Sequence, residues 1–535
     1  MKKAWKYLVV LFTAIILYYF MLPAINIHDY RFYFYILILL VEFLILSLPE
    51  SVSQIGTLGW KYFFKSSTVS VVTKIILGVI GVLIVYLIGT SIVFSPFFNA
   101  KAYANRITID EVSLSEIPEY SFNTTAIIDR SSASKLGDKV MGEMPDLVSQ
   151  FLVSGEYSQI SYKEGTYRVT PLAYDGFIKY VKNMSKGIPG YIIVNTTTGL
   201  TELKRLEKGM KYVPSAYFFD NLYRKLRISH PFDIFGSPTF EIDEEGNPYY
   251  VCTTYTYRGI SSLRKVTGVV LFDPVTGESE KYSIEDAPSW IDRIYPEDLV
   301  IAELDDNGKY KSGFINSIIG QEGVIQTSEG YNYISKDGDI WLYTGMTSII
   351  SDESNIGFCL VNLRTHRAEY IATSGADEYS VMRSAEGEVL NYGYTATFPV
   401  LVNIDNSPMY ILSLKDSAGL VKMYAMVDAR DYQQVYTVKA SNDAKTSIEE
   451  LIEIATGKSA GEVVEGLEQV IYVDSMDRLV IEGNTYLYLK YNGDTYVLKI
   501  TLDNSLKALS INAEQSLKIK YYEDNGLKII TEIVG

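Results

Sequence analysis

Two short motifs in the chain contain the residue types that acyl-transfer chemistry requires. Ser132 and Lys135 have the SxxK spacing of penicillin-binding enzymes, in which the lysine activates the serine as a nucleophile. The sequence KSG at 311–313 is similar to the KTG strand of those enzymes. No SxN element lies between the two motifs, and the chain contains no Walker loop, GxSxG or HExxH sequence. We therefore interpret SxxK as a coincidence, assign no catalytic residue and predict that the protein is not an enzyme.

Two acidic segments contain the carboxylate oxygens that calcium prefers. They are DEEG at 243–246 and DDNG at 305–308. Neither has the alternating ligand spacing or the closing glutamate of an EF-hand loop. Hairpin turns explain both better, so the sequence predicts no metal site and no cofactor.

The chain has two cysteines, Cys252 and Cys359, and no CxxC sequence, which excludes a disulfide framework and a structural zinc site. Both cysteines lie in apolar, strand-like runs. We expect two buried free thiols, with a bridge between them as the alternative. The histidines are far apart in sequence and lack ligand spacing, which favours structural roles; they are His28, His230 and His366.

Three apolar runs near the N-terminus predict transmembrane helices at 7–25, 32–48 and 75–98. A bilayer core of about 30 Å requires roughly 20 apolar helical residues, which the first and third runs provide and the second approaches. Residues 1–99 are therefore predicted to form a membrane anchor with three transmembrane helices.

Glu42 lies within the second run. An unpaired carboxylate is costly inside a bilayer, so an intramembrane glutamate is by default a candidate functional residue. The alternative is that Glu42 lies near the cytoplasmic end of its helix, where it is protonated or reached by water.

Basic residues predict the orientation of the anchor. Six lysines flank the runs on one side: Lys2, Lys3, Lys6, Lys61, Lys65 and Lys74. The loop between the first and second runs is short and nearly neutral. The positive-inside rule therefore places the N-terminus and the 49–74 loop in the cytoplasm and everything after about residue 100 outside the plasma membrane.

The exterior part is strongly acidic. Residues 1–99 contain seven basic and three acidic residues, so the remainder carries a net charge of −20, against −16 for the whole chain. Such a surface repels phosphate backbones, which disfavours nucleic-acid binding. The expected partners are the lipid bilayer and an envelope protein or cell-wall component.

A pattern recurs four times between 161 and 457. Each copy has an acidic turn, an aromatic-rich strand, and an apolar strand that ends in a polar turn. The turn positions are Gly165, Gly246, Gly338 and Asn406. With helices predicted at 215–226, 286–294 and 447–455, the pattern indicates tandem α+β units, each an antiparallel sheet with a helix.

The last segment, 458–535, differs from the repeats. Its strands are closely spaced, with short turns at Gly483-Asn484 and Asn492-Gly493 and no helix between them. This spacing suggests a small β-barrel or OB-like module with a structural or protein-binding role. Residues 100–160 are predicted to connect the anchor to the repeats.

The repeat unit resembles PepSY-type domains, small extracytoplasmic α+β modules of bacterial envelope proteins, over roughly 160–440. In addition, the segments NAKAYANRI, ASKLGDKVMGEMP, YRVTPLAYDGFIKY, GIPGYIIV and FEIDEEGNPYYV resemble an uncharacterised family of bacterial multi-pass membrane proteins with an exterior domain of PepSY-like repeats. This resemblance covers most of the chain. It implies a cell-envelope location and a binding or inhibitory role toward envelope proteases, and it transfers no catalytic residue.

These observations favour a noncatalytic cell-envelope protein whose exterior domain binds or scaffolds a protein or cell-wall partner. Two alternatives stay open. The first is a regulatory or inhibitory subunit of a membrane enzyme, protease or transporter, engaged through Glu42 and the spans. The second is an enzyme of unrecognised type that acts on cell-wall material.

Overall fold

The structure is a computed structural model. It describes residues 4–47, 71–163, 165–349, 351–405, 407–441, 444–458, 467–481, 484–500, 504–524 and 527–534. Several positions used in the sequence predictions lie outside these residues: Lys2, Lys3, Lys61, Lys65, Asn406, Gly483 and most of the 49–74 loop.

Three apolar helices open the chain: α1 (Ala4–Met21), α2 (Tyr30–Ser47) and α3 (Val71–Val93). By length and composition, α2 and α3 can each cross a membrane, whereas α1 supplies a shorter apolar stretch. The first helix ends before its predicted limit because Pro23 disfavours helical backbone at Leu22, which has a φ of +47°. Helix α1 packs on α2, and α2 packs on α3.

A short helix, α4 (Pro96–Ala104), joins this bundle to the rest of the chain. It begins with proline at its first helical position, as is common, and packs against α9 (Glu297–Tyr310). Arg106, just beyond α4, forms ion pairs with Glu303 at 3.3 Å and Asp306 at 2.6 Å of α9. These contacts fix the helical bundle to the β-rich region.

Four sheets of similar construction follow. Sheet I contains β2 (Phe151–Val153), β3 (Ser158–Tyr162), β4 (Gly165–Tyr174), β5 (Ile188–Asn195) and β6 (Thr201–Met210). Sheet II contains β7 (Ile234–Phe235), β8 (Thr239–Ile242), β9 (Pro248–Arg258), β10 (Ser262–Phe272) and β11 (Ser279–Tyr282). Sheet III contains β12 (Ile325–Thr327), β13 (Asn332–Lys336), β14 (Asp339–Ser348), β15 (Ser351–Asn362) and β16 (Ala368–Ala376), and β1 (Ile109–Val112) pairs parallel with β16. Sheet IV contains β17 (Thr395–Ala396), β18 (Val400–Ile404), β19 (Ser407–Lys415), β20 (Val421–Asp428) and β21 (Val435–Lys439).

The first strand of each of these sheets is interrupted, so that two short strands pair with the same long second strand. At each interruption a backbone N–H bonds back to that second strand, and the four bonds are equivalent: Ser154 to Pro171, Gly236 to Thr253, Ser328 to Gly345 and Thr397 to Ser413. Between sheets, the short strand β3 contacts the short strand β8 and the long strand β14, and β13 contacts β18. The interruptions therefore lie where the sheets meet.

A second feature repeats in all four sheets, at the end of the strand that follows the long second strand: β5, β10, β15 and β20. A side-chain oxygen accepts hydrogen bonds from the backbone N–H groups two and three residues further on, which closes a turn. The four residues are Asn195, Asp273, Asn362 and Asp428. The fourfold repeat of sheets that the sequence predicts is therefore present.

The long strands are buried on both faces because cores form on each side of a sheet. In β14, Trp341 and Tyr343 belong to the main core that runs through sheets I to IV, while Ile340 and Leu342 pack on the opposite side with α9. This alternation arises because successive side chains of a β-strand point to opposite faces of the sheet. It explains why these strands are continuously apolar in sequence.

Further helices lie between and beside the sheets: α5 (Arg130–Gly142), α6 (Pro145–Val148), α7 (Phe177–Asn183), α8 (Leu222–Ser229), α10 (Glu378–Glu388), α11 (Ala444–Thr456) and α12 (Ser505–Leu509). The prediction at 447–455 is confirmed by α11. The prediction at 215–226 is correct only over its second half, where Asn221 caps α8 by accepting from the backbone N–H of Arg224. The prediction at 286–294 is wrong, since the helix begins at Glu297, after Pro296.

The C-terminal strands form a single open sheet. It contains β22 (Leu467–Tyr472), β23 (Ser475–Ile481), β24 (Asn484–Tyr491), β25 (Asp494–Lys499), β26 (Ser516–Asp524) and β27 (Leu527–Ile533). The strand order is β22-β26-β27-β25-β24-β23, so β22 and β23 are its edges and do not pair within the described residues. The predicted small β-barrel or OB-like module is therefore wrong. The parallel pairing of β25 with β27 makes an open sheet instead.

Candidate functional site

The interruptions of the four sheets converge on one cavity with two adjoining chambers. The first chamber, about 930 Å³, lies between sheets I and II and reaches Met21, Leu22 and Arg31 at the turn between α1 and α2. The second chamber, about 630 Å³, lies between sheets I, III and IV. Five residues line both chambers: Arg130, Tyr157, Arg293, Glu297 and Tyr331.

A cluster of three polar side chains lies where the chambers meet. Arg293 Nη1 is 3.0 Å from Glu297 Oε1, and Arg293 Nη2 donates to the Tyr333 hydroxyl at 3.2 Å. The Tyr333 hydroxyl in turn donates to Glu297 Oε1. Burial alone would lower the pKa of Arg293, but Tyr333 and Glu297 outweigh it and raise that pKa. The guanidinium therefore stays charged and holds the carboxylate in place.

The backbone around Arg293 is fixed by the segment between sheets II and III. Ile291 and Ile294 are fully buried, and the backbone N–H groups of Ile294 and Tyr295 both donate to the carbonyl of Leu363. Glu297 then opens α9, where a carboxylate interacts favourably with the helix dipole. The apolar anchors thus direct the two charged side chains toward the cavity.

Two buried carboxyl groups lie beneath Arg293. Glu241 on β8 and Asp292 are 1% and 4% exposed. Glu241 Oε2 accepts from the Asp292 backbone N–H at 2.9 Å, and Asp292 Oδ2 accepts from the Ser161 backbone N–H at 2.7 Å. Burial raises the pKa of Glu241 to about 7, and burial together with the neighbouring Glu241 charge raises that of Asp292. This carboxyl pair, which joins β3, β8 and the loop before α9, therefore holds a proton near neutral pH.

Tyrosines and charged side chains line the first chamber, and its five arginines are Arg31, Arg130, Arg227, Arg264 and Arg293. Six tyrosines line it: Tyr157, Tyr223, Tyr250, Tyr255, Tyr257 and Tyr331. Three carboxylates line it as well, Glu156, Glu297 and Asp298, of which Asp298 is paired with Arg264 at 2.7 Å. Aromatic faces beside a few polar groups are typical of pockets for small molecules or sugars.

The second chamber is lined by cationic groups. Lys415 Nζ contacts both Asp129 Oδ1 and Ser131 Oγ at 2.6 Å. Burial alone would raise the pKa of Asp129, but the Lys415 ammonium outweighs it and lowers that pKa to about 2. Arg130 donates to the carbonyl of Gly155 at 2.7 Å, and Arg168 extends from β4 to the chamber wall.

The intramembrane candidate Glu42 lies on α2 and contacts α1. Its Oε1 accepts from Thr13 Oγ1 at 2.8 Å, and no described residue hydrogen-bonds to its buried Oε2. Glu42 lies far from the cavity in sequence and does not line it. A functional role for Glu42 stays a prediction.

The motifs considered first lie outside the cavity. Ser132 and Lys135 are both on α5 and line neither chamber. Asp243 closes a turn by accepting from the backbone of Glu245 and Asn247, as predicted for 243–246. The turn predicted at 305–308 is wrong, because these residues belong to α9. Within the described residues, no cluster of three or more His, Cys, Asp or Glu could hold a metal ion.

Both cysteines are buried and unbridged, as expected. The histidines have structural contacts. His366 stacks on Tyr295 with ring centroids 4.2 Å apart and lies 2.7 Å from Glu303. His230 contacts Ser279 Oγ at 2.9 Å, and His28 contacts the Gly259 carbonyl at 2.8 Å.

Arg168, Arg293, Glu297 and Tyr333 line the second chamber but belong to none of the motifs identified in the sequence. One local signal was available, since Arg168 interrupts the apolar strand GTYRVTPLAY, most of whose residues are buried. For Arg293 and Glu297 the sequence IDRIYPED offered only alternation of apolar and charged residues.

No family model matches the chain, and no curated protein matches it. Among solved structures, an endo-arabinase from Bacteroides thetaiotaomicron VPI-5482 is 8% identical, covers 70% of this chain and 95% of its own, and has a TM-score of 0.19. A GH43_1 enzyme from Xanthomonas citri is 10% identical with coverage of 75% and 98% and a TM-score of 0.18. The alpha-L-arabinanase of Cellvibrio cellulosa is 9% identical with coverage of 71% and 94% and a TM-score of 0.15.

The four solved structures that the chain is similar to are described as enzymes, against the noncatalytic binding protein expected from the sequence. TM-scores of 0.14–0.19 establish neither a shared fold nor a shared activity. The resemblance to a membrane family with PepSY-like repeats stays a prediction, since no family model matches.

Proposed function

We propose that the protein is a membrane-anchored enzyme of the cell envelope that hydrolyses a hydroxyl-rich cell-wall substrate in the two-chamber cavity. The observation that carries this proposal is the carboxylate of Glu297. It lines both chambers and is held by the Arg293 guanidinium and the Tyr333 hydroxyl. An oriented carboxylate in a concave site is suited to act as a general base toward water or a substrate hydroxyl.

The first chamber supplies the other groups that cleavage of a sugar polymer requires. Glycoside hydrolysis uses two carboxyl groups that flank the scissile bond. Of the three carboxylates that line this chamber, we assign the role to Glu297, which also lines the second chamber, and to Glu156, from the interruption of sheet I; the Asp298 side chain is 68% exposed and paired with Arg264. In this mechanism Glu297 activates the water and Glu156 protonates the departing oxygen, while the tyrosine rings bind the sugar faces.

Replacing Glu297 by glutamine is expected to reduce activity by at least about 100-fold, because general-base assistance contributes roughly 10²–10⁴-fold. The measurement is the release of reducing ends from isolated cell walls by the full-length protein in detergent. Glu280→Gln is a matched control, since the Tyr282 hydroxyl donates to Glu280 at 2.6 Å in an equivalent pair outside the cavity. Equal activity of the Glu297→Gln and wild-type proteins, or no release by the wild type, would contradict the proposal.

An exterior location of the cavity is part of this proposal. The side of the membrane is supported by the distribution of lysines in the sequence. Attachment to the membrane is supported by α2 and α3, which are long and apolar enough to cross a bilayer, and by exposed apolar residues beside the helical bundle. Phe219 packs against Tyr19 with ring centroids 6.0 Å apart, and Phe314 packs against Phe97 at 5.3 Å. Aromatic side chains at the end of a transmembrane bundle suit the headgroup region.

Cysteine labelling of intact cells tests this location. An impermeant maleimide is expected to label Lys208→Cys directly and Lys65→Cys only after permeabilisation. The background should be low, because Cys252 and Cys359 are at most 1% exposed. The reverse labelling pattern would place the cavity in the cytoplasm.

A further inference from the structure

The second chamber contains two guanidinium groups without an acidic partner. Its three carboxylates are each held by another cation: Glu297 by Arg293, Asp129 by Lys415, and Asp416 by Lys422 at 3.4 Å. Within the part of the chain that the structure describes, no carboxylate forms a salt bridge with Arg130 or Arg168. The chamber therefore carries an uncompensated positive charge, although the region after residue 99 has a net charge of −20.

Arg168 is the more informative of the two. It lies in the middle of β4, is 4% exposed, and its Nε donates to the carbonyl of Ile128 at 3.2 Å. A guanidinium has five N–H donors, and this bond uses one of them. Burial lowers the pKa of Arg168 to about 10, so the side chain is still cationic at neutral pH.

An unpaired buried charge is costly, and proteins normally supply a partner or an apolar residue instead. The bond to Ile128 does not explain an arginine, since a neutral donor would serve a carbonyl equally well. Guanidinium groups are well matched to carboxylates and phosphates, which they bind through two parallel N–H···O bonds. An arginine that is buried, forms no salt bridge and is open to a chamber is therefore suited to bind an anion.

We propose that the second chamber binds an anionic group of the substrate, a carboxylate or a phosphate, between Arg168 and Arg130. The claim that this group belongs to the substrate rests on the proposed function; the anion site itself does not. Because Glu297 lies at the junction of the chambers, an anion held by Arg168 places the adjoining part of the ligand beside that carboxylate. A chamber of about 630 Å³ accommodates one charged sugar or phosphate-bearing unit.

The test uses the full-length protein in detergent with four probes: glucuronic acid, inorganic phosphate, glucose as the neutral counterpart of glucuronic acid, and nanodiscs of phosphatidylglycerol. Glucuronic acid or phosphate is expected to raise the thermal unfolding midpoint and to bind in calorimetry, whereas glucose does neither. Phosphatidylcholine nanodiscs are the control for the phosphatidylglycerol nanodiscs. If the protein responds only to phosphatidylglycerol, the anion is a lipid headgroup, and the site is still supported.

Variants separate the site from nonspecific binding. Arg168→Met and Arg130→Gln are each expected to weaken binding of the effective probe at least tenfold, while Arg205→Met, on an exposed pair with Asp146, leaves it unchanged. Without any anion, Arg168→Met should unfold at the same or a higher temperature than the wild type, because it removes an unpaired charge. Arg130 is exposed, so Arg130→Gln tests the site even if Arg168→Met fails to fold.

The outcomes also distinguish this inference from the proposed function. Glu297→Gln should keep the anion response while losing hydrolysis. Anion binding with no hydrolysis of any cell wall by the wild type would support the site and defeat the function. No anion response in the wild type, or an unchanged response in both Arg168→Met and Arg130→Gln, would overturn the site whatever the activity.

Discussion

Replacing Arg293 by methionine is expected to lower the free energy of unfolding by about 3–5 kcal/mol at neutral pH, the usual cost of removing one partner from a buried ion pair. The Arg293 side chain is 11% exposed and contacts both Glu297 and Tyr333. Glu241 is close enough to raise the pKa of Arg293 further. Without the guanidinium, the carboxylate of Glu297 loses its ion pair, and the buried Glu241 and Asp292 lose a neighbouring cation.

Denaturant titration of the full-length protein, followed by tryptophan fluorescence, measures this loss because Trp341 is buried in the main core. Arg205→Met is the control. Its ion pair with Asp146 is half exposed on both sides, so its removal should change stability by less than about 1 kcal/mol. A loss for Arg293→Met as small as that of the control would mean that Arg293 does not stabilise the cluster.

The repeated sheets were predictable because their signals are local. Gly246 lies in a turn where the backbone has a φ of +87°, and the DEEG sequence supplies both this glycine and the Asp243 side chain that closes the turn. The flanking strand PYYVCTTYTYR is rich in residues that suit a pleated surface. Strand and turn are therefore encoded within a few residues of each other.

The cavity was not predictable in the same way because its contacts are distant in sequence. Asp292 accepts from Ser161, 131 residues away, and donates to Glu241, 51 residues away. Lys415 binds Asp129 across 286 residues. Each charged residue, seen alone in the sequence, is typical of a solvated loop, and only the convergence of the four interrupted strands makes it part of a site.

The open C-terminal sheet shows the same limit of local patterns. Short strands joined by tight turns, such as the turn at Asn492-Gly493, suit both a closed barrel and an open sheet. The architecture depends on which distant strands pair. The parallel pairing of β25 with β27 and the pairing of β22 with β26 place β22 and β23 at opposite edges.

Replacing Glu241 by glutamine is expected to weaken the pH dependence of the free energy of unfolding. In the unfolded chain a glutamate loses its proton near its ordinary pKa of 4.5, whereas burial raises the pKa of Glu241 to about 7 in the folded protein. Between these values the folded state binds more protons than the unfolded state, so stability falls as the pH rises. At about 1.4 kcal/mol per pH unit, the wild type loses roughly 3 kcal/mol across this window.

Glutamine at this position keeps a side-chain oxygen that accepts from the Asp292 backbone N–H. It also removes the negative charge that Glu241 acquires in the folded protein above about pH 7. Glu241→Gln should therefore lose less free energy of unfolding between pH 5 and pH 8 than the wild type, and should be more stable than the wild type at pH 8. The measurement is denaturant titration at several pH values. Glu244→Gln, in the exposed turn of the same hairpin, should retain the wild-type slope.

A wild-type slope in Glu241→Gln would mean that another group takes up the proton. Asp292 is the group that faces Glu241, and its pKa is raised by burial and by the Glu241 charge. Once Glu241 is neutral, this repulsion is gone, so Asp292 should titrate at lower pH than in the wild type. The remaining pH dependence of the variant should therefore shift toward acidic pH, and a shift toward alkaline pH would show that the two carboxyl groups do not share a proton.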